Sequence, residues 1–495
     1  MTTNIAYQNL RDRFNELYRL QHAMTYLGWD QMVMMPVNGN TSRSESIAEI
    51  AGIHHAKLTA PEVGEWLSEL ADAQEPSVRE MKRVWSQASC LPAELVKEKI
   101  VAGSRCEMGW RTQRGENDWE GFVKNFKPVV ELSRQEASLR QSASNTSTPY
   151  EALLALHCHG DSESLIDSLF DDLQSVLPDL LQQIVEKQNN LSSSFDNFDY
   201  PVEQQKQVNK EMLAALGFDF ESGRLDESVH PFSTGVAGDL RITTRYERSQ
   251  FIESLAGTAH EAGHASYEGG LPEQWKGLPV GEHRNMCIHE SQSLLFEKQV
   301  FYSKAFMGFM TEKLHRLLPS SAGMSADELW ALGIRVQPGK IRVEADEVTY
   351  PLHVMLRYQI ESALINGDIE VEAIPDLWNE KMQNTLGVNT AGDYTNGCMQ
   401  DIHWTDGAFG YFPSYTMGAI NAAQLFARIK EDHPEWQDSL AQGDIGFIRT
   451  WLQEKIWSKG CELESQDLMQ FATGSVSTVQ PFLQHLEARY LHGLY

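Results

Sequence analysis

The chain has 495 residues, 41% of them hydrophobic, and a formal net charge of -28. That excess of negative charge repels phosphate backbones and anionic membrane surfaces, which argues against nucleic-acid and peripheral membrane roles. No uncharged apolar run is long enough to span a bilayer. The six cysteines (Cys90, Cys106, Cys158, Cys287, Cys398 and Cys461) are scattered without a C-x-x-C pair. They read as reduced, mostly buried thiols, and with no basic n-region or apolar h-region at the start of the sequence the expected location is cytoplasmic. The length would allow about three domains. No Pro-, Gly- or Ser-rich linker and no internal repeat divides the chain, however, so residues 1–495 are expected to form a single two-lobed unit.

In chain order, Leu10, Phe14, Leu17, Leu20, Met24 and Leu27 recur at helical spacing. They predict a long helix over 7–35, ended before Pro36 and the polar segment 38–41. A second helix is expected to start near Ser42, where Glu45 would complete a capping box. Residues 75–145 and 150–190 continue as amphipathic helices with stops at Pro76, Pro92, Gly115 and Pro149. Trp85, Trp110 and Trp119 read as packing anchors rather than a binding platform. The first half therefore looks all-helical.

The exception is 238–246, which alternates polar and apolar residues after a turn-rich stretch. A strand here puts Leu240 and Ile242 on one face and Asp239, Arg241 and Thr243 on the other. It could line a cleft and offer a free edge to a peptide backbone, or be an ordinary exposed edge strand.

From Ser249 as N-cap, apolar residues recur at helical spacing until Gly269 and Gly270. That helix carries His260-Glu261-Ala262-Gly263-His264. Residues four apart share a helix face, so His260 and His264 form a two-imidazole site for a metal ion. Glu261, one step round, is placed to take a proton from water rather than to ligate. A catalytic zinc site needs a third protein ligand and an open position. Glu290 is 26 residues past His264, which leaves room for a loop and a returning antiparallel helix. Glu297, two turns on, is the rival, and His289 and Gln292 could orient ligands or be surface polar residues. Arg342, a permanently charged forked donor, suits a carboxylate but could equally sit in a solvated salt bridge. The glycine- and aromatic-rich segment 397–415, with His403, Tyr411 and Tyr415, can pack or donate hydrogen bonds to an oxyanion.

Five segments in this order resemble signatures of the carboxypeptidase Taq family of metallocarboxypeptidases. They are D-x-R-x-T at 239–243, H-E-x-x-H at 260–264, H-E-S-Q at 289–292, I-R-x-x-A-D at 341–346 and G-x-x-Q-D-x-H-W at 397–404. The match is dense over about 230–425, 27–31 also looks like the family, and 294–296 departs from it. The resemblance implies a mostly α, neurolysin-like two-lobed fold with a deep active-site groove and a small β-sheet lining it. It implies a homodimer acting on peptide substrates and releasing C-terminal amino acids with broad preference, and one zinc ion per chain, for which cobalt would also serve. By motif, His260, His264 and Glu290 become the metal ligands and Glu261 the base. Arg342 becomes the carboxylate anchor, with Asp239, Arg241, Thr243 and Gln400 among the substrate contacts. His403 and one of the tyrosines steady the intermediate; Tyr415, 12 residues beyond His403, is preferred to Tyr411. The alternatives are an oligopeptidase of the same clan and a non-catalytic, metal-stabilised helical scaffold.

Overall fold

The computed structural model describes residues 4–188 and 199–494. Met1 to Thr3 and the last two residues of the expected 150–190 helical region lie outside the described residues. The chain opens with α1 (Ile5–Val33), α2 (Asn40–Leu58), α3 (Pro61–Glu69), α4 (Pro76–Ser89) and α5 (Ala93–Gln113). Then come α6 (Trp119–Ser144), α7 (Pro149–Leu154), α8 (Glu163–Gln188) and α9 (Val202–Ala215). After the strands β1 (Gly223–Glu227), β2 (Ser233–Val236) and β3 (Asp239–Thr244) follow α10 (Ile252–Gly270) and α11 (Met286–Leu294), the latter running into a π-helical turn, Leu295–Phe301. Next are α12 (Lys304–Leu317), α13 (Ala326–Gly333), α14 (Tyr350–Asn366) and α15 (Ile374–Leu386). The chain closes with α16 (Pro413–Asp432), α17 (Trp436–Ala441), α18 (Gly446–Lys455), α19 (Ser465–Thr473) and α20 (Gln480–Leu486). Among the described residues no helix is long and apolar enough to cross a membrane.

The first helix begins where Asn4 accepts the amide protons of Ala6 and Tyr7, and it ends ahead of Pro36 as expected. The capping box at Ser42 does not form. A 3₁₀ turn over Val37–Gly39 feeds straight into α2 at Asn40, which leaves Ser42 inside the first turn with its carbonyl accepting from Ser46 Oγ. Pro76 and Pro149 start helices rather than stop them, because the first helical turn has no use for the missing N–H. The three tryptophans pack as expected. Trp119 is buried beside Phe122, Trp85 lies against the small N-terminal core, and Trp110 Nε1 donates to the Met399 carbonyl at 2.7 Å.

The strand expected around 238–246 forms, but not as an edge. It is the middle of three, parallel to β1 and antiparallel to β2. The partners are short: β1 reads Gly-Arg-Leu-Asp-Glu, and β2 reverses into β3 through Ala237 and Gly238, the latter at φ 90°. With both sides of β3 paired, a substrate strand can add only at β1 or β2.

Among the described residues there are two buried apolar clusters. The larger runs through α6 to α20 and includes the faces of α10, α11 and α16. The smaller gathers Leu10, Phe14, Leu17, Leu58, Val63 and Met81 under α1 to α4, and closes on Leu278 and Val280.

Candidate active site

Helix α10 is buried almost all round between Ser254 and Tyr267, and its first turn starts at Ile252 after Phe251 rather than at Ser249. Its Gly263 is there because α11 crosses at backbone contact. A Cβ at Gly263 would come 2.4 Å from the Gln292 carbonyl oxygen and 2.6 Å from Ser293 Cα. Gly418 of α16 makes room for the Glu290 side chain, since a Cβ there would lie 2.6 Å from Glu290 Cγ. Two glycines thus let three helices close on one another, and Glu290 is carried between the other two.

The result is a convergence of donors. His260 Nε2 lies 3.7 Å from one carboxylate oxygen of Glu290, and His264 Nε2 lies 3.5 Å from the other. Ligands at ordinary zinc bond lengths sit ~3.4 Å apart around a tetrahedral ion, so the spacing and the chemistry of this donor set fit a divalent metal. The remaining ring nitrogens are occupied. His260 Nδ1 is 2.9 Å from Glu297 Oε2, and His264 Nδ1 is 2.6 Å from His289 Nδ1. Glu297, the rival ligand, therefore meets the ring nitrogen of His260 that does not face Glu290, and it is itself paired with Lys298 at 2.6 Å. Burial alone would lower the His260 pKa, but Glu290 and Glu297 outweigh it and raise it to about 9. In the metal-free protein a proton therefore competes for this site. Glu261 is buried with Oε2 lacking any hydrogen-bond partner, and burial raises its pKa against the pull of His260 and His264. An unpartnered carboxylate in a low-dielectric wall is a strong proton acceptor. Gln292 does not reach the ligands; it accepts from Trp457 Nε1 at 2.8 Å.

Arg342 sits on a 3₁₀ turn with Nε and Nη2 at 2.9 and 2.8 Å from Asp401 Oδ1 and Nη1 at 2.6 Å from the Tyr350 hydroxyl. Arg357 takes the other oxygen of Asp401 at 2.6 Å. Two guanidinium groups on one carboxylate leave one positive charge uncompensated in a buried place. Gln400 is a clamp: its side-chain oxygen accepts from the Arg342 amide at 2.8 Å while its NH₂ donates to the Lys340 and Asn396 carbonyls. Tyr415, on the first turn of α16, has its ring 5.4 Å from that of Tyr411 and 5.8 Å from that of Tyr350. His403 lies 5.7 Å from Tyr411, ring to ring, with Nδ1 unpartnered. Burial and then the Arg342 charge lower its pKa to about 4, so the imidazole is neutral near pH 7. Its loop is pinned to α14 by Glu361, which accepts from Trp404 Nε1 at 2.6 Å and from the Gly410 amide at 3.0 Å. A cavity of about 280 Å³ is lined by His260, Glu290, Lys298, Tyr350 and Tyr415.

The sheet residues make contacts of their own. Arg241 pairs with Asp239 and stacks on Trp29 of α1 at 4.5 Å, while Tyr26 donates to the Asp239 carbonyl at 2.6 Å. Thr243 is fully buried and binds the 228–232 loop, accepting from Ser228 Oγ and the Phe232 amide. Asp239 and Arg241 thus anchor the N-terminal helices to the sheet. Sequence reasoning missed Tyr350 and Arg357, which no spacing rule points to. It also passed over Glu268, whose Oε1 lies 2.8 Å from His289 Nε2, although His260, His264 and Glu268 at successive four-residue steps were a readable signal.

A family model described as carboxypeptidase Taq (M32) metallopeptidase matches residues 9–490. The chain is similar to thermostable carboxypeptidase 1 of Thermus thermophilus, at 35% identity with 99% of each chain covered. Carboxypeptidase 1 of Bacillus subtilis is 33% identical, with 97% of each covered. Among solved structures, metallocarboxypeptidase 1 of Trypanosoma cruzi superposes with a TM-score of 0.95 at 37% identity, covering 98% of this chain and 99% of that one. With its mostly helical fold, its small sheet and its His, His, Glu donor set, the chain belongs to the carboxypeptidase Taq (M32) metallopeptidase family and is a metal-dependent carboxypeptidase, a peptide hydrolase.

Proposed function

We propose that the chain removes single residues from the C-termini of peptides, with His260, His264 and Glu290 holding one zinc ion. Cobalt suits the same nitrogen and oxygen donors. When bound, the metal supplies Lewis acidity that polarises the scissile carbonyl and lowers the pKa of water. Glu261 takes the proton of the attacking water and delivers it to the leaving amine. His403 and Tyr415, with Tyr411 as the alternative to Tyr415, donate to the oxygen on which charge develops. Arg342, held in place by Asp401 and with Arg357 adding to the local positive potential, receives the substrate's terminal carboxylate and sets the register. The observation that carries this reading is that both histidine Nε2 atoms face Glu290 while both Nδ1 atoms are engaged, beside Glu261 with its Oε2 unpartnered.

The test is mass spectrometry of a mixed peptide pool incubated with zinc-loaded protein, alongside the same peptides with amidated C-termini. Ladders from the C-terminus that disappear with the amides and with chelator are expected. Equal cleavage of free acid and amide would remove Arg342 from substrate recognition and leave it as a prop for the 397–415 loop. The family resemblance also supports a homodimer, which light scattering tests.

A further inference from the structure

A chain of hydrogen bonds behind His264 has no part in the proton transfers above. His264 Nδ1 is 2.6 Å from His289 Nδ1, and their rings are near-parallel at 29° with centroids 4.5 Å apart. His289 Nε2 lies 2.8 Å from Glu268 Oε1, and His283 Nδ1 lies 2.9 Å from that same oxygen. Glu268 is one turn beyond His264 on α10, and His289 precedes the ligand Glu290 on α11.

The proton positions follow from one another. A carboxylate only accepts, so His289 Nε2 and His283 Nδ1 must both be donors toward Glu268. A neutral His289 protonated at Nε2 has its lone pair at Nδ1, and between two nitrogens 2.6 Å apart one must donate, so His264 Nδ1 carries the hydrogen. The His264 lone pair is then on Nε2, the atom facing Glu290. With the chain reversed, the proton would stand on Nε2 and close the position where a metal binds. His260 has its tautomer set in one step by Glu297; His264 has it set in two.

We infer that Glu268, acting through His289, fixes the metal-binding tautomer of His264 and is a positioning residue of the metal site. This rests on the reading that His264 is a ligand. A carboxamide at position 268 can turn either an oxygen or an NH₂ toward His289, so it satisfies the chain in both directions and no longer selects one.

The experiment is competition between the full-length protein and a chromophoric chelator for zinc, read as apparent affinity and stoichiometry, with the melting temperature of each metal-free variant measured in parallel. Glu268→Gln is expected to weaken zinc binding by about 10- to 100-fold. Its metal-free melting temperature should stay close to that of the parent, and Glu268→Asp, which restores an acceptor-only group, should recover most of the affinity. A carboxylate with only a structural role would lower the melting temperature and leave the affinity of the folded protein alone. Unchanged affinity in Glu268→Gln, with affinity lost in His264→Ala, overturns the inference. Full affinity in His264→Ala overturns the metal-site reading beneath it instead. Two zinc ions per chain, falling to one in Glu268→Gln, also overturns it by making Glu268, His283 and His289 a metal site in their own right. If Glu268→Gln does not fold, His289→Gln cuts the same chain with the same expected loss, and unchanged affinity there again contradicts the inference.

Discussion

The wall that carries the proposed metal ligands and the N-terminal helical layer are built in opposite ways. In the wall, α10 is buried on nearly every face, α11 meets it at backbone distance through Gly263, and the Glu290 side chain of α11 packs on Gly418 of α16. In the N-terminal layer, α2 buries only Leu58, and α1 to α4 share one small apolar cluster. Besides the apolar contact at Leu278 and Val280, polar contacts join the two. Arg284, fully buried just before the helix of Glu290, donates to Glu80 of α4 at 3.2 Å, and Arg79 donates to the Cys461 carbonyl at 2.7 Å. The sheet adds Arg241 on Trp29 and Tyr26 on the Asp239 carbonyl. A site whose ligands must hold their distances within a few tenths of an ångström is set in dense apolar packing. A layer that only has to stay attached is clamped by charge.

The largest effect that sharpens this contrast is chemical. Glu261→Gln is expected to lower kcat by about 10³-fold or more while the protein keeps its metal and its melting temperature, measured by turnover of a blocked dipeptide and by metal content. Full activity in this variant would remove Glu261 from the mechanism. Next comes the clamp. Glu80→Gln leaves Arg284 buried without its closest carboxylate and is expected to cost about 3–5 kcal/mol in chemical denaturation. The same pair sets an acid dependence. Burial would raise the Glu80 pKa, but Arg284 and Arg83 outweigh it and lower it to about 2 from the usual 4.5. Its contribution to stability is therefore complete above about pH 4.5 and is lost as the pH falls toward 2. Melting temperatures across that range should fall more steeply in the parent than in Glu80→Gln.

Smaller again, Gly263→Ala should cost roughly 1–3 kcal/mol by driving α11 away from α10, and it should weaken zinc binding because Glu290 moves with that helix. At the bottom of the scale, Ile53→Ser on the exposed face of α2 should change stability by no more than about 0.5 kcal/mol. Amide hydrogen exchange tests the contrast as a whole, with α2 expected to exchange far faster than α10 and α11.

The parts that a sequence makes legible are those where the chemistry and the helical period coincide. His260 and His264 announce a helix face, and Glu290 could be located because a loop of the right length precedes it. The long first helix was readable from Leu10, Phe14 and Leu17 for the same reason. What was hidden depends on partners distant along the chain. Strands β1 and β2 are too short and too polar to show alternation, and the β1–β3 pairing joins them only in the fold, so β3 looked like an edge. Gly263 inside the metal motif looks like an ordinary small residue until the Gln292 carbonyl is found against it. Arg342 was visible as a forked cation, but nothing local indicates that Asp401, Tyr350 and Arg357 would enclose it.

The most direct test of the metal centre is X-ray diffraction from crystals of the zinc-loaded protein, collected on either side of the zinc absorption edge. One anomalous peak per chain is expected, about 2 Å from His260 Nε2, His264 Nε2 and a Glu290 oxygen. A peak among Glu268, His283 and His289 instead, or no peak between the two α10 histidines and Glu290, would contradict the assignment of the ligands and the catalytic roles that depend on it.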